Sequence, residues 1–318
     1  PDIGTGSKRM KGIQHPWRTR FKTGFIGGVH ALAGYIFTTE DTLAVALYLN
    51  ETGKNPDAIC KDALDSIWLR LVNFTDAEYA HILKAKELWL SAMEIKDIQK
   101  RIQHFSEQLL ETPYSLGPTG EGFKGKIDSK PIFRLDSVDC VTYMENVLAL
   151  SFAPHEDSIF STLKQIRYLQ GKPSFVNRKH YFVADWIQKS DFAKIVISKE
   201  DTTVEKKLPK KKFFEAKGIK QQNDELLKLS YLPLNKAKEF AGKNWNEAFK
   251  IRGIGLVFAG DAVDVFHVGF LILKPGEKPL FRHASQISGK VITQTLESYL
   301  ENSKKKIPGI VQFEFLGN

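Results

Sequence analysis

The chain holds two cysteines and eight histidines, and one cysteine stands apart by its surroundings. Cys140 lies in RLDSVDCVTYMENVLAL, Arg134 to Leu150, behind Asp136, Ser137 and Asp139 and at the head of an apolar run. A cysteine attacks as its thiolate, so a catalytic one needs a pKa below about 8.5. Asp136 and Asp139 work against that. The positive end of a helix starting at Cys140 and a nearby imidazolium would work for it. The helix is local, so the imidazole must come from elsewhere. In DVFHVGFLIL, alternation sets Val265, His267, Gly269 and Leu271 on one face of a strand and Phe266, Val268, Phe270 and Ile272 on the other. Gly269 leaves room for another group to approach His267. The turn KPGEKP returns the chain into PLFRHAS, which can bring His283 beside His267 on an adjacent strand. A nucleophile, a base and a group orienting the base are the parts of thiol acyl transfer. The same residues also fit a structural cysteine at a helix start and two hydrogen-bonded strand histidines.

The positioning elements follow from periodicity. Ile59, Cys60, Ala63, Leu64, Ile67, Trp68 and Leu71 recur at three- and four-residue spacing, the pattern of a helix face. That makes Cys60 a buried apolar residue. Thr75 to Glu78 and Ser91 to Glu94 have the form of capping boxes. The second is expected to open a helix with Ile95, Ile98, Ile102, Phe105 and Leu109 inside, ending at TPYSLGP. A third helix runs from Asp139 to about Phe152 through Val141, Met144, Val147 and Leu148. Ile159, Leu163, Ile166 and Leu169 mark a fourth. IGLVFAG, DVFHVGFLIL, PLFRHAS and GIVQFEF read as short strands between glycine and proline turns. Helices followed by strands specify an α+β domain.

Composition bounds the rest. Hydrophobic residues make up 42% of the 318 and charged ones 26%, as in a globular chain of one large or two modest domains. Neither a disulfide scaffold nor a metal motif is indicated, and whether Cys60 and Cys140 are joined is left open. GEGFKGKI, Gly120 to Ile127, fails as a phosphate loop because Ile127 stands where Ser or Thr should hold magnesium. The net charge of +9 is concentrated: seven lysines and two glutamates give +5 between Thr203 and Lys220. EKKLPKKKFF within it reads as a solvated loop, suited to loose attraction to an anionic polymer but not to specific nucleic-acid recognition. No apolar run reaches membrane-span length. Lys8, Arg9, Lys11, Arg18, Arg20 and Lys22 precede TGFIGGVHALAGYIF, where Ala31-Leu32-Ala33 fits the cleavage pattern of an export signal. Residues 1–50 read as an ordered arm, with an uncut export signal as the alternative, and 51–94 as a helical region of unknown role.

The order ETPYSLGP, LDSVDCVTYMENVLAL, NRKHYFVADWI, GDAVDVFHVGFLI, LFRHAS resembles the NlpC-type cell-wall cysteine peptidases. Within them it is most similar to the N-acetylmuramoyl-L-alanine amidase-like branch, from about Ile95 to the C-terminus. The resemblance implies a papain-like catalytic domain over 95–318, with the nucleophile at the N-terminus of a helix packed on an antiparallel sheet. It casts Cys140 as nucleophile, His267 as general base and then acid, and His283 as the residue orienting it. Tyr114, Asp139, Arg178 and His180 become substrate-binding residues. The sequence departs from the wider pattern at Val141, where serine is usual. The implied activity is thiol hydrolysis of an amide in bacterial peptidoglycan stem peptides, near the L-alanine to γ-D-glutamate bond. It needs no cofactor or metal and implies a periplasmic or extracellular location. Acyl transfer to a protein or lipid acceptor, or a silent wall- or partner-binding module, are the alternatives.

Overall fold

The computed structural model describes residues 9, 19–38, 42–50, 56–122, 125–220, 223–303 and 306–316, with the backbone alone at 56 and 73–79. The chain divides into two compact units, Pro1–Leu83 and Lys84–Asn318.

In the first unit, β1 (Thr19–Ile26), β2 (Val29–Phe37) and β3 (Thr42–Asn50) form an antiparallel sheet in that order. Where the sequence reading drew an arm, the described residues are therefore a meander, and Ala31 to Ala33 lie inside a strand. The β1–β2 turn is made by Gly27 and Gly28, both with positive φ (54° and 78°), which matches the twist of the strands it joins. Helix α1 (Pro56–Leu90) follows. Leu64, Trp68 and Val72, four residues apart, bury against Leu32 and Ile36 of β2. Ile59 and Ile67 stay exposed, so the apolar stripe is narrower than the spacing suggested. No helix starts at Thr75 to Glu78: α1 runs through it, with neither glycine nor proline from Asp57 to Leu90 to stop it. In the second unit, Ser91 to Glu94 forms turns instead, and α2 (Ile98–Gln108) starts later, capped by the Asp97 carboxylate, which accepts the Lys100 N–H at 2.9 Å.

The second unit is built on an antiparallel sheet in the order β10-β9-β8-β7-β11-β6-β5, with β4 (Ala193–Val196) also paired to β11. The strands are β5 (Thr202–Leu208), β6 (Glu225–Pro233), β7 (Lys250–Val257), β8 (Val265–Leu273), β9 (Leu280–Ser285), β10 (Lys290–Thr295) and β11 (Gly309–Phe315). Helix α3 (Cys140–Phe152) packs on one face, where Tyr143 meets Phe270 edge-on at 5.6 Å. α4 (Ile159–Arg167) lies beside α3. Leu271, Leu273 and Phe281 point to the opposite face, into a core closed by α6 (Leu234–Ala241) and α7 (Leu296–Asn302). The mixed α+β class agrees with the sequence reading.

The lysine-rich run is not a solvated loop. It forms β5 and a short helix, α5 (Lys210–Glu215), and Lys206 and Lys210 are buried. Lys210 Nζ bonds Asp185 at 2.6 Å and Glu225 at 2.7 Å, while Lys206 Nζ bonds the Phe258 and Gly260 carbonyls at 2.6 and 2.7 Å. The aliphatic stems bury and every buried ammonium finds oxygen partners, which an account based on charge alone misses.

Candidate active site

Helix α3 owes its start to Asp139. The carboxylate accepts the Thr142 N–H at 2.8 Å, and the Thr142 hydroxyl accepts the Asp139 N–H at 2.8 Å, a reciprocal capping box. The other carboxylate oxygen accepts the Gly117 N–H at 3.2 Å and so ties the turn after Tyr114 to the helix start. At the far end, Arg101 donates to the carbonyls of Leu150 and Ser151 at 3.2 and 3.0 Å, placing a cation on the negative helix terminus. Within α3, Glu145 bonds the buried Arg167 at 2.6 Å, and Arg167 also donates to the Ile132 carbonyl. Asn146 donates to the Arg134 carbonyl at 2.7 Å. These bonds fix the segment that delivers Cys140.

Both cysteines are free, and Cys140 is partly buried. Its sulfur lies within reach of the backbone N–H groups of Cys140, Val141 and Val268, all of which favour the thiolate. Crowding by surrounding protein, and then Asp139, outweigh them and push the thiol from an ordinary value of 9.0 up to about 12. A helix terminus supplies at most about 2 kcal/mol, or roughly 1.5 pKa units, so it cannot reverse that rise alone. At neutral pH the protonated form is therefore favoured, and attack by this sulfur would call for a base.

The Val268 contact brings the cysteine to β8, next in the chain to His267. β8 pairs with β9 through Phe270, Leu271 and Ile272 only, so the Val268 N–H lies outside that ladder and serves the sulfur. On the opposite face from Val268, His267 Nε2 is 2.7 Å from His283 Nδ1, the two rings perpendicular at 89°. Gly269 makes this approach possible. A Cβ there would stand 2.6 Å from the Arg282 carbonyl oxygen, 2.6 Å from the Phe281 ring and 2.8 Å from His283 Cβ. The group that needs the room at Gly269 is thus the strand carrying His283. Burial pushes His283 down to about 4, against a backbone bond to Ala284, so its imidazole is neutral at physiological pH. His283 Nε2 continues to the Gln294 side-chain amide at 2.9 Å.

Two tyrosines complete the surroundings. Tyr114 is held by backbone bonds that run Val138 to Pro113 and Ser115 to Val138, each at 2.9 Å. Burial, then the nearby Cys140 and Asp139, raise its phenol to about 12. Tyr299 of α7 stacks on His267 with centroids 5.9 Å apart and rings 7° from parallel. Burial and Cys140 raise its phenol too. The sequence reading missed Tyr299 and Gln294, because neither adjoins the motifs in the chain. It also missed Asp264, fully buried, which accepts the N–H groups of Phe182, Val183, Ala184 and Val265 at 3.1, 2.7, 2.9 and 2.8 Å. Asp264 thereby anchors the start of β8 to the short π-helical segment Phe182–Ile187. The repeated aspartates of GDAVD were the available signal.

Arg178 and His180, the other two named residues, each have partners within the protein. Arg178 donates to the Thr119 carbonyl at 3.0 Å and lies 3.5 Å from the buried Glu121. His180 is 2.7 Å from the Phe175 carbonyl oxygen and sits among the rings of Phe175, Phe213 and Phe214, where burial lowers its pKa to about 4.

With this geometry in view, the family model described as AmiA-like, N-acetylmuramoyl-L-alanine amidase-like, matches residues 104–310. The chain belongs to that family. The match spans Tyr114, Cys140, His267 and His283 of this amidase-like chain. A crystal structure from Legionella pneumophila str. Philadelphia 1, assigned to the DUF1460 family, superposes with a TM-score of 0.64 at 25% identity, covering 76% of this chain and 96% of that one. An N-acetylmuramoyl-L-alanine amidase from Bacteroides uniformis shares the fold with a TM-score of 0.52 at 23% identity, covering 69% of this chain and 98% of the other. No curated protein matches the chain.

Proposed function

We propose that this amidase-like chain is a thiol hydrolase with a papain-like arrangement, cutting an amide bond in peptidoglycan stem peptides. One observation carries the reading: Cys140, at the head of α3, takes the N–H of Val268, the neighbour of a histidine whose Nε2 is 2.7 Å from a second histidine. With Nε2 of His267 committed to His283, Nδ1 takes the Sγ proton as sulfur attacks the scissile carbonyl. The oxyanion then faces the Cys140 N–H. Collapse of the tetrahedral intermediate breaks the C–N bond. The leaving amine receives the proton from His267, and water deprotonated by the same nitrogen hydrolyses the thioester.

Asp139 raises the thiol pKa, a cost that makes sense if its charge serves the substrate. It would hold a free α-ammonium beside the sulfur, selecting stem peptides with an exposed amino end, with L-alanine to γ-D-glutamate or a nearby bond as the target. Tyr114, near enough to Cys140 and Asp139 for both to raise its phenol, would line the same pocket. A substrate of this kind lies outside the bacterial cytoplasm, so we place the chain in the periplasm or the extracellular space. The test is digestion of purified peptidoglycan fragments by the wild type and Cys140→Ala, followed by mass spectrometry. New fragments from the wild type alone are expected, and their masses name the bond. Equal digestion by Cys140→Ala would overturn the thiol mechanism.

A further inference from the structure

The structure points past His283 to Gln294, which nothing in the motifs assigns. Gln294 lies on β10, two residues from Ile292, the direct cross-strand partner of His283, and therefore on the same face of the sheet as that histidine. Its amide nitrogen is 2.9 Å from His283 Nε2, and His283 is buried. Cys140, His267, His283 and Gln294 thus come from α3, β8, β9 and β10 in succession, with the last three linked by hydrogen-bond distances of 2.7 and 2.9 Å.

Such a chain admits two proton arrangements, because neutral imidazole carries one donor and one acceptor while a glutamine amide can present either. With the amide nitrogen towards His283, Nε2 of His283 accepts and its Nδ1 carries the proton. That proton is donated to Nε2 of His267, whose own proton then sits on Nδ1. In this arrangement His267 has no lone pair for the thiol. A half-turn of the amide puts Oε1 in place of the nitrogen and reverses every bond. His283 then donates from Nε2, accepts at Nδ1 from the N–H of His267, and leaves Nδ1 of His267 as an acceptor. When Sγ–H gives up its proton there, His267 becomes an imidazolium with both donors in use, and no proton crosses the other two bonds.

We propose that Gln294 is a positioning residue that sets the tautomer of the His283–His267 pair, its amide oxygen selecting the form in which His267 can act as base. The proposal rests on the reading of Cys140 and His267 as nucleophile and base. Two observations set this position apart from a packing role. The amide contacts an imidazole whose other nitrogen is already used by His267. His283 is held flat against Phe281, rings 4.4 Å apart and 10° from parallel, so ring rotation is not an easy way to swap nitrogens. An acceptor-only residue at the same place would enforce one tautomer, which makes the idea separable by substitution.

The test compares the wild type, Gln294→Met and Gln294→Glu in two measurements. The first is the 15N spectrum of the histidine-labelled protein, which reports which ring nitrogen of His283 carries the proton whether or not the chain is an enzyme. The expected result is protonated Nε2 in Gln294→Glu and a shift towards protonated Nδ1 in Gln294→Met. The second is steady-state hydrolysis of a wall-derived peptide. Gln294→Met should lose about tenfold in kcat, the effect of one hydrogen bond on the barrier, with KM unchanged. Gln294→Glu should retain kcat. Identical His283 spectra in all three proteins would overturn the proposal, as would a tautomer change without a change in kcat. A drop in kcat for Gln294→Glu equal to that of Gln294→Met would do the same. If instead Cys140→Ala kept wild-type activity, the catalytic reading would fail, while the spectra would still decide what Gln294 does to His283.

Discussion

Replacing Gly269 by alanine tests the packing that joins the two histidines. The new Cβ would fall 2.6 Å from the Arg282 carbonyl oxygen and the Phe281 ring, and 2.8 Å from His283 Cβ, where ordinary contact begins at 3.4 Å. Relief requires β9 to move by about 0.8 Å, since backbone is among the obstructing atoms and cannot swing aside. If His283 moves with its strand, the 2.7 Å contact to His267 opens to about 3.5 Å, past the range of a hydrogen bond. Overpacking of this kind costs about 1–3 kcal/mol, which for a unit of this size lowers Tm by roughly 2–12 °C. The loss of the orienting bond should lower kcat about tenfold or more, with KM little changed. Thermal unfolding and steady-state hydrolysis are measured side by side for Gly269→Ala, His283→Ala and the double variant. If the glycine acts through His283, the double variant is no slower than His283→Ala. A lowered Tm with wild-type kcat would refute the claim that His283 orients His267. An unchanged Tm would refute the packing argument itself.

Asp139→Asn removes the charge but keeps a side-chain oxygen for the Thr142 N–H, since asparagine caps helices as well as aspartate does. KM should rise for free-amino peptides, and alkylation of Cys140 at fixed pH should speed up because the Asp139 charge no longer opposes the thiolate; unchanged values on both counts would remove Asp139 from the substrate site. Asp264→Ala strips four buried N–H groups of their acceptor and should cost about 3 kcal/mol or more in denaturant unfolding, with β8 losing its anchor. A change below 1 kcal/mol in that experiment would show that water replaces the carboxylate. Stability should also fall on acidification. His283 and His180 bind protons near 6.5 when unfolded but only near 4 when folded. Between those values the unfolded chain carries more protons, so the contribution is complete above 6.5, drains away as pH falls towards 4 and changes no further below it. Unfolding midpoints that stay level from pH 7 to 4.5 in the wild type would contradict this.

The sequence determined much of the second unit. The apolar spacing of VTYMENVLAL specifies a helix from Cys140, and Asp139 with Thr142 three residues on supplies its cap, because capping is a contact between near neighbours in the chain. Alternation in DVFHVGFLIL and PLFRHAS fixes two strands and puts His267 on the face of Gly269, because strand periodicity is local. Other parts were beyond local rules. Lys206 and Lys210 looked solvated because their partners, Asp185, Glu225 and two carbonyls, are remote in sequence. The meander of β1, β2 and β3 escaped notice because its glycines and small residues weaken the alternation that pairing then enforces. Tyr299 and Gln294 reach the histidines only because β10 pairs with β9 and α7 closes the core behind it. The chain encodes each strand and helix where it stands. Which side chain meets which imidazole, and how far a thiol sinks from water, are set by strand order and burial, and those exist only once the sheet has closed.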